Sequence, residues 1–241
     1  MSNKLLSIIE MQKKREQGGV SFELNVPNFS LQRGQFVAIV GASGCGKSSL
    51  LDMLALVLRP NKCKEFLISN STETMDITEI WNHETKLAAI RRNIFGYVLQ
   101  TGGLLPFLTV ERNISLPIKV KQSGYSVADI YKLAKKMGIE NILSKKPQFL
   151  SGGQRQRVAI LRAMAHKPDI ILADEPTAAV DKENAHIIVK NFYELAKEIG
   201  TTIVMVTHDY DLVSELADIT YTFKVSHESA IKTCSVLEVK V

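Results

Sequence analysis

Cysteine is scarce in this chain: Cys45, Cys63 and Cys234 stand far apart, with no C-x-x-C pair among them. That spacing excludes a disulfide framework and a paired-thiolate metal or redox site, and fits free thiols in a reducing compartment. Long apolar runs are also missing. No stretch approaches the roughly 20 residues needed to span a bilayer, so any membrane role is expected to act through a partner or a surface contact. Met1–Glu10 is mixed and partly charged. It lacks the apolar run and small-residue cleavage pattern of a signal peptide, and none is expected. There is no internal repeat, no low-complexity tract and no sustained heptad run, which excludes a solenoid and a long coiled coil.

What remains is ordinary globular composition. Of 241 residues, 45% are hydrophobic and 23% charged, enough to bury a sizeable core without staples. Thirty basic against 25 acidic residues leave a net charge of +5. That mild excess permits an anionic ligand or surface without requiring one.

Four apolar runs stand out: Phe36–Val40, Phe95–Leu99, Ile170–Ala173 and Thr202–Val206. They are continuous rather than alternating, as in strands covered on both faces. Helical stretches lie between them, at Lys47–Leu58, roughly Val127–Met137, Gly152–Ala165 and Lys182–Ile199. This alternation predicts an α/β fold with a largely parallel central sheet. Met11–Leu24 reads as an edge hairpin or turn around Gly18-Gly19. From Thr101 to Gln148 the character changes: Pro106, Pro117 and Pro147 interrupt a lysine-rich stretch with no strong strand. It reads as a mainly helical insertion. Lys119, Lys121, Lys132, Lys135, Lys136, Lys145 and Lys146 make it basic, which fits a solvated face or, more sharply, contact with anionic headgroups or an acidic partner.

The first strand runs straight into Gly41-Ala42-Ser43-Gly44-Cys45-Gly46-Lys47-Ser48, followed by Ser49, and a helix follows. This fits G-x-x-x-x-G-K-[ST] in its proper strand–loop–helix context. Glycines let backbone N–H groups converge on a phosphate, and the helix N-terminus favours negative charge. Lys47 would neutralise the β- and γ-phosphates, and the Ser48 hydroxyl suits Mg²⁺. The third run ends in Asp174-Glu175, carrying two acids to the sheet edge where ligands of α/β sheets gather. Asp174 is placed to hold Mg²⁺, and Glu175 to polarise an attacking water. Alone, an Asp-Glu pair fits a surface turn equally well. Leu150-Ser151-Gly152-Gly153-Gln154 opens a helix with a good N-cap and two bare glycines, a second anion site unless it is simply a glycine-rich cap.

Leu150–Gln154 resembles, residue for residue, the signature of ABC transporter ATP-binding subunits. Gln100, Asp181 and His208 match that family's loop glutamine, dimer-facing aspartate and switch histidine, and all motifs occur in the family's order over roughly residues 30–220. The resemblance implies a single domain over 1–241. It would comprise a phosphate-loop NTPase core (1–100 and 159–241), an N-terminal antiparallel β subdomain and an inserted helical subdomain (101–158). It also implies an ATPase that takes ATP and Mg²⁺ and works as a homodimer, each ATP held between Gly41–Ser49 of one copy and Leu150–Gln154 of the other. Glu175 would act as general base, His208 would contact the γ-phosphate, Asp181 would face the partner copy, and Ser48, Gln100 and Asp174 would serve the metal. The implied partner is a membrane permease, with the chain peripheral on the cytoplasmic face of the membrane and no nucleic acid involved beyond the nucleotide. Arg92–Gln100 and Leu105–Ile114 look like the lipoprotein-release and macrolide-export branch. An ATP-dependent regulator of a membrane scaffold, such as the cell-division machinery, stays open as an alternative.

Three departures stand beside the likeness. The upstream aromatic that the family stacks on adenine is missing near Gln12–Glu16, where Lys13, Lys14 and Arg15 stand instead. That leaves base stacking an open question, with Arg15, through a cation–π contact, and Phe22 as candidates to meet the base. The dimer-facing loop reads Ala178-Ala179-Val180-Asp181 without the usual leading Ser or Gly. In the tail, Phe223-Lys224-Val225-Ser226 replaces an Asp-Gly turn.

Overall fold

The computed structural model describes residues 3–70, 73–122, 125–229 and 231–240. Ten strands form one sheet in the order β5-β4-β1-β2-β10-β9-β3-β8-β7-β6. Its parallel half comprises β3 (Phe36–Val40), β8 (Thr202–Thr207), β7 (Ile170–Asp174) and β6 (Phe95–Val98), with β3 also pairing in parallel with β9 (Ile219–Ser229). These strands are the apolar runs. Alternation divides each between two cores. Phe36, Ala38, Ile171, Ala173, Ile203 and Met205 pack on one face, and Val37, Ile39, Ile170, Leu172, Val204 and Val206 on the other. Both faces are covered, so every residue of β8 is buried.

The other half is mainly antiparallel: β1 (Lys4–Gln17), β2 (Val20–Gln32), β4 (Glu65–Ser69), β5 (Thr74–Asp76) and β10 (Lys232–Val239). The expected turn at Gly18-Gly19 joins β1 to β2, with both glycines at positive φ (58° and 78°), as a two-residue hairpin requires. Within this hairpin only the β2 arm is flanked on its outer side by a further strand, β10. β4 pairs with β1 along Leu6–Ile9, and among the described residues Met11–Gln17 has on its outer side no more than an isolated bridge from Gln12 to Lys62, so the β1 arm is an edge there, as expected. The tail forms a hairpin of β9 and β10, and β10 runs parallel to β2.

Helix α1 (Lys47–Leu54) follows β3, α2 (Ile77–Ile80) and α3 (Glu84–Ile94) precede β6, and α7 (Lys182–Ile199) lies between β7 and β8. α1 is shorter than its apolar run implies. Leu56 adopts φ 60°, so the chain turns while Leu56 itself stays buried. Between β6 and β7 come α4 (Val110–Lys121), α5 (Val127–Lys136), two 3₁₀ turns and α6 (Gly152–Met164). The insertion is helical, as its composition suggests. Its lysines are not all free surface charge: Lys121 Nζ donates to the carbonyls of Asn93, His166 and Lys167 at 3.0, 3.1 and 3.3 Å, and Lys136 pairs with Glu198. Among the described residues, no helix is long and apolar enough to cross a membrane.

Candidate functional site

The loop between β3 and α1 is built around its lysine. Gly44 and Gly46 sit at φ 81° and 106°, where a Cβ would be strained. Lys47, its side chain 6% exposed, donates from its amine to the carbonyls of Gly41 and Ala42 at 2.8 and 2.9 Å. A cleft of about 630 Å³ opens above, lined by Ser43, Gly44, Gly46, Lys47, Ser48 and Ser49, with Gln100 and Glu175 opposite. Gly41, Ala42 and Cys45 do not line it. Cys45 is buried beneath the loop, and burial pushes its thiol pKa up, which argues against a reactive thiol facing the nucleotide.

The two acids at the end of β7 play different parts. Asp174 is half-buried. Burial raises its pKa, a hydrogen bond from Ser48 lowers it, the charges of Glu175 and Asp52 raise it and that of Lys47 lowers it, leaving a net rise. Such a carboxylate gains from a cation placed beside Ser48. Glu175 has φ 41°, a left-handed conformation uncommon outside glycine; its amide bonds to Val206 O at 3.0 Å and its carbonyl accepts from Ala178. That backbone turns its carboxylate toward Lys47 (3.5 Å), His208 Nδ1 (3.3 Å) and Gln100 Nε2 (3.5 Å). Four residues singled out by the sequence thus converge, from β3–α1, β6, β7 and β8. His208, on an exposed side chain, meets Glu175 without lining the cleft.

The cleft's far wall settles where the upstream basic run lies. Arg15 of β1 and Phe22 of β2 are directly paired across the hairpin, so both side chains share one face, and both line the cleft with Gln17 and Val20. Phe22 also lies 3.2 Å from where a Cβ on Gly46 would stand. An aromatic ring and a guanidinium side by side on one face form a surface on which a flat ring can stack.

Ser151 caps α6 in a reciprocal box with Gln154: Gln154 N donates to Ser151 Oγ, and Ser151 N to Gln154 Oε1. Gly152 is required because a Cβ there would stand 2.7 Å from Ala179 O. Asp181 is spent locally as the N-cap of α7, accepting from Asn184 N at 3.0 Å. Ser151, Gly152, Gly153, Gln154 and Asp181 line a second cleft of about 480 Å³. It shares no residue with the first. Leu150 is buried and is not part of its wall.

Three residues that sequence reasoning missed grip the segment after Gln100. Gln156, 2% exposed, donates to Gln100 O at 2.8 Å. Arg162 donates to the carbonyls of Gly103 and Gly102 at 2.7 and 2.8 Å. The Asn113 side chain, fully buried, accepts from Leu105 N and donates to the carbonyls of Leu105, Leu108 and Thr109. The Gln156 and Arg162 bonds tie the Gln100 loop to α6, the helix that starts at Ser151.

A profile described as ABC transporter matches residues 24–178. The chain is 38% identical over 219 residues to the lipoprotein-releasing system ATP-binding protein LolD of Idiomarina loihiensis, covering 90% of this chain and 93% of that protein. It is 37% identical over 214 residues to the macrolide export ATP-binding/permease protein MacB of Chlorobium phaeobacteroides, covering 88% of this chain but 31% of that protein. Among solved structures, the dimeric ABC transporter cassette MJ0796 of Methanocaldococcus jannaschii matches with TM-score 0.78 at 33% identity, covering 90% of this chain and 94% of that one. The same cassette bound to ADP and Pi in a post-hydrolysis dimer matches with TM-score 0.77.

Proposed function

Because the chain belongs to the ABC transporter family of ATP-binding subunits, we propose that two copies close around two ATP molecules and that their hydrolysis drives a separate membrane permease of the lipoprotein-release or macrolide-export kind. The observation that carries this is the division of the site. The phosphate loop, Gln100 and Glu175 line one cleft, while the bare start of α6 lines another with no residue in common. A single copy offers its triphosphate one helix N-terminus; a second copy placed head to tail brings the other. The permease places the chain at the membrane face, reached through the helical insertion that the Gln100 loop leads into.

Each residue's part follows from its position. The loop amides and Lys47 bind the phosphates. Glu175 orients an attacking water and takes its proton, with His208 beside the γ-phosphate. Magnesium, when bound, supplies charge that offsets the triphosphate's, and Ser48 and Asp174 would hold it with Gln100 opposite. Among the described residues no cluster of three or more His, Cys, Asp or Glu suits a metal. Few protein ligands is the arrangement Mg²⁺ favours when phosphates and water complete its shell. Arg15 and Phe22 hold the base.

The dimer is tested by sedimentation with Mg²⁺ and a non-hydrolysable ATP analogue. The wild-type protein should dimerise. Ser151→Arg should stay monomeric and still bind ATP, more weakly than wild type by the contribution of the partner's helix start, because it fills only the second cleft; a wild type that remains monomeric overturns the reading. For the base, Arg15→Ala should weaken ATP binding by roughly 3- to 30-fold and leave inorganic tripolyphosphate binding unchanged. Equal losses for both ligands would move Arg15 from the base to the phosphates.

A further inference from the structure

The phosphate loop is fastened from below by the far end of the chain. Ser235, on β10, is fully buried, and its Oγ donates to Cys45 O at 2.7 Å across 190 residues of sequence. β10 is itself held firmly, with Ser235 opposite Leu24 of β2 on one side and Val225 of β9 on the other. The same hairpin and β2 pack against the loop's glycines. Phe223 lies 3.2 Å from the Cβ position of Gly41, and Leu24 lies 3.3 Å from that of Gly46.

The consequence lies in the Cys45–Gly46 peptide. A trans peptide is planar, so its carbonyl and its N–H point in opposite directions. Ser235 draws the Cys45 carbonyl down into the protein, which turns the Gly46 N–H up toward the cleft that Gly46 lines. Gly46, at φ 106° and ψ 7°, has no side chain to hold that plane, and glycine rotates cheaply. Bonds within the loop hold the flanking groups, Cys45 N to Ala42 O and Leu50 N to Gly46 O, whereas the hold on the Cys45 carbonyl itself comes from Ser235, outside the loop. Resting on the ATP-binding reading above, we infer that Ser235 is a positioning residue for the triphosphate, aiming the Gly46 amide at a phosphate oxygen. Without its hydroxyl the buried carbonyl loses its donor, and a flipped peptide would present oxygen rather than N–H to an anion.

The test is nucleotide binding by calorimetry beside thermal unfolding. Ser235→Ala should weaken ATP, ADP and inorganic tripolyphosphate alike, by about tenfold, with kcat at saturation within about twofold of wild type. Wild-type Gly46 should show a downfield amide proton shift on nucleotide binding, and Ser235→Ala should lose most of it. Ser235→Thr, which keeps the hydroxyl, should restore binding. Leu237→Ala, a buried apolar truncation on the same strand, should lower Tm while leaving affinity unchanged. Equal affinity in wild type and folded Ser235→Ala overturns the proposal, as does an equal affinity loss in Leu237→Ala. Should Ser235→Ala not fold, Ser235→Cys decides the matter, because its weaker donor should give an intermediate loss. A wild type that binds no ATP would instead overturn the nucleotide reading itself.

Discussion

Replacing Lys47 with alanine is expected to weaken ATP binding by at least about 100-fold, since charge-assisted hydrogen bonds to phosphate contribute roughly 1.5–3 kcal/mol each. Lys47 serves two ends. Its ammonium donates to Gly41 O and Ala42 O, and it stands 3.5 Å from Glu175. Removing it leaves two loop carbonyls without their donor and a partly buried carboxylate without its nearest cation. Alanine should therefore also lower stability, by about 1–3 kcal/mol. Lys47→Met keeps the stem's packing and loses the charge together with both hydrogen bonds, so it separates the amine's contribution from that of the buried stem. Calorimetric titration with ATP should show a similar affinity loss in both variants, and thermal melts a smaller stability loss in the methionine variant. ATP affinity close to wild type in both would mean that the loop is not a phosphate cradle.

The parallel half of the fold was legible because physics leaves few options there. A strand covered on both faces must be apolar throughout, so β3, β7 and β8 announce themselves as runs. Helix α7 spans Lys182–Ile199 as its periodicity implies, and Asp181 caps it. The antiparallel half was mostly hidden. Around Lys13–Glu16, β1 carries charges on both faces, and only its pairing with β2 shows it to be strand. Phe223–Ser229 and Lys232–Val239 likewise gain their identity from partners rather than from pattern.

The site divides along the same line. Residues whose chemistry needs a fixed spacing, from Gly41 to Ser49 and from Leu150 to Gln154, are readable as motifs. Residues that act on backbone carbonyls are not, because a carbonyl is offered by every residue and leaves no trace in sequence. Gln156, Arg162 and Asn113 hold the Gln100 loop in this way, and Ser235 holds the phosphate loop. The adenine question was half legible. Arg15 and Phe22 were visible as candidates, but their direct opposition across the hairpin is a matter of register.

Glu175→Gln is expected to lower kcat by about 10²–10⁴-fold, the usual worth of a positioned general base, while ATP binding persists. The two side chains have nearly the same shape, so the strained backbone at φ 41°, held by Val206 O and the Ala178 amide, has no reason to move. What changes is charge. The carboxylate that faces Lys47 and His208 becomes an amide, which has no basic site for the proton of water and no repulsion toward a γ-phosphate. Affinity for ATP should hold or rise. In the proposed dimer hydrolysis removes the shared phosphate, so the variant should collect as a dimer with Mg-ATP where the wild type is expected to cycle back to monomer. Steady-state phosphate release and light scattering on the same samples read both effects. Full turnover in the variant would remove Glu175 from the chemistry, and would leave its φ of 41° as strain kept for no purpose that the cleft explains.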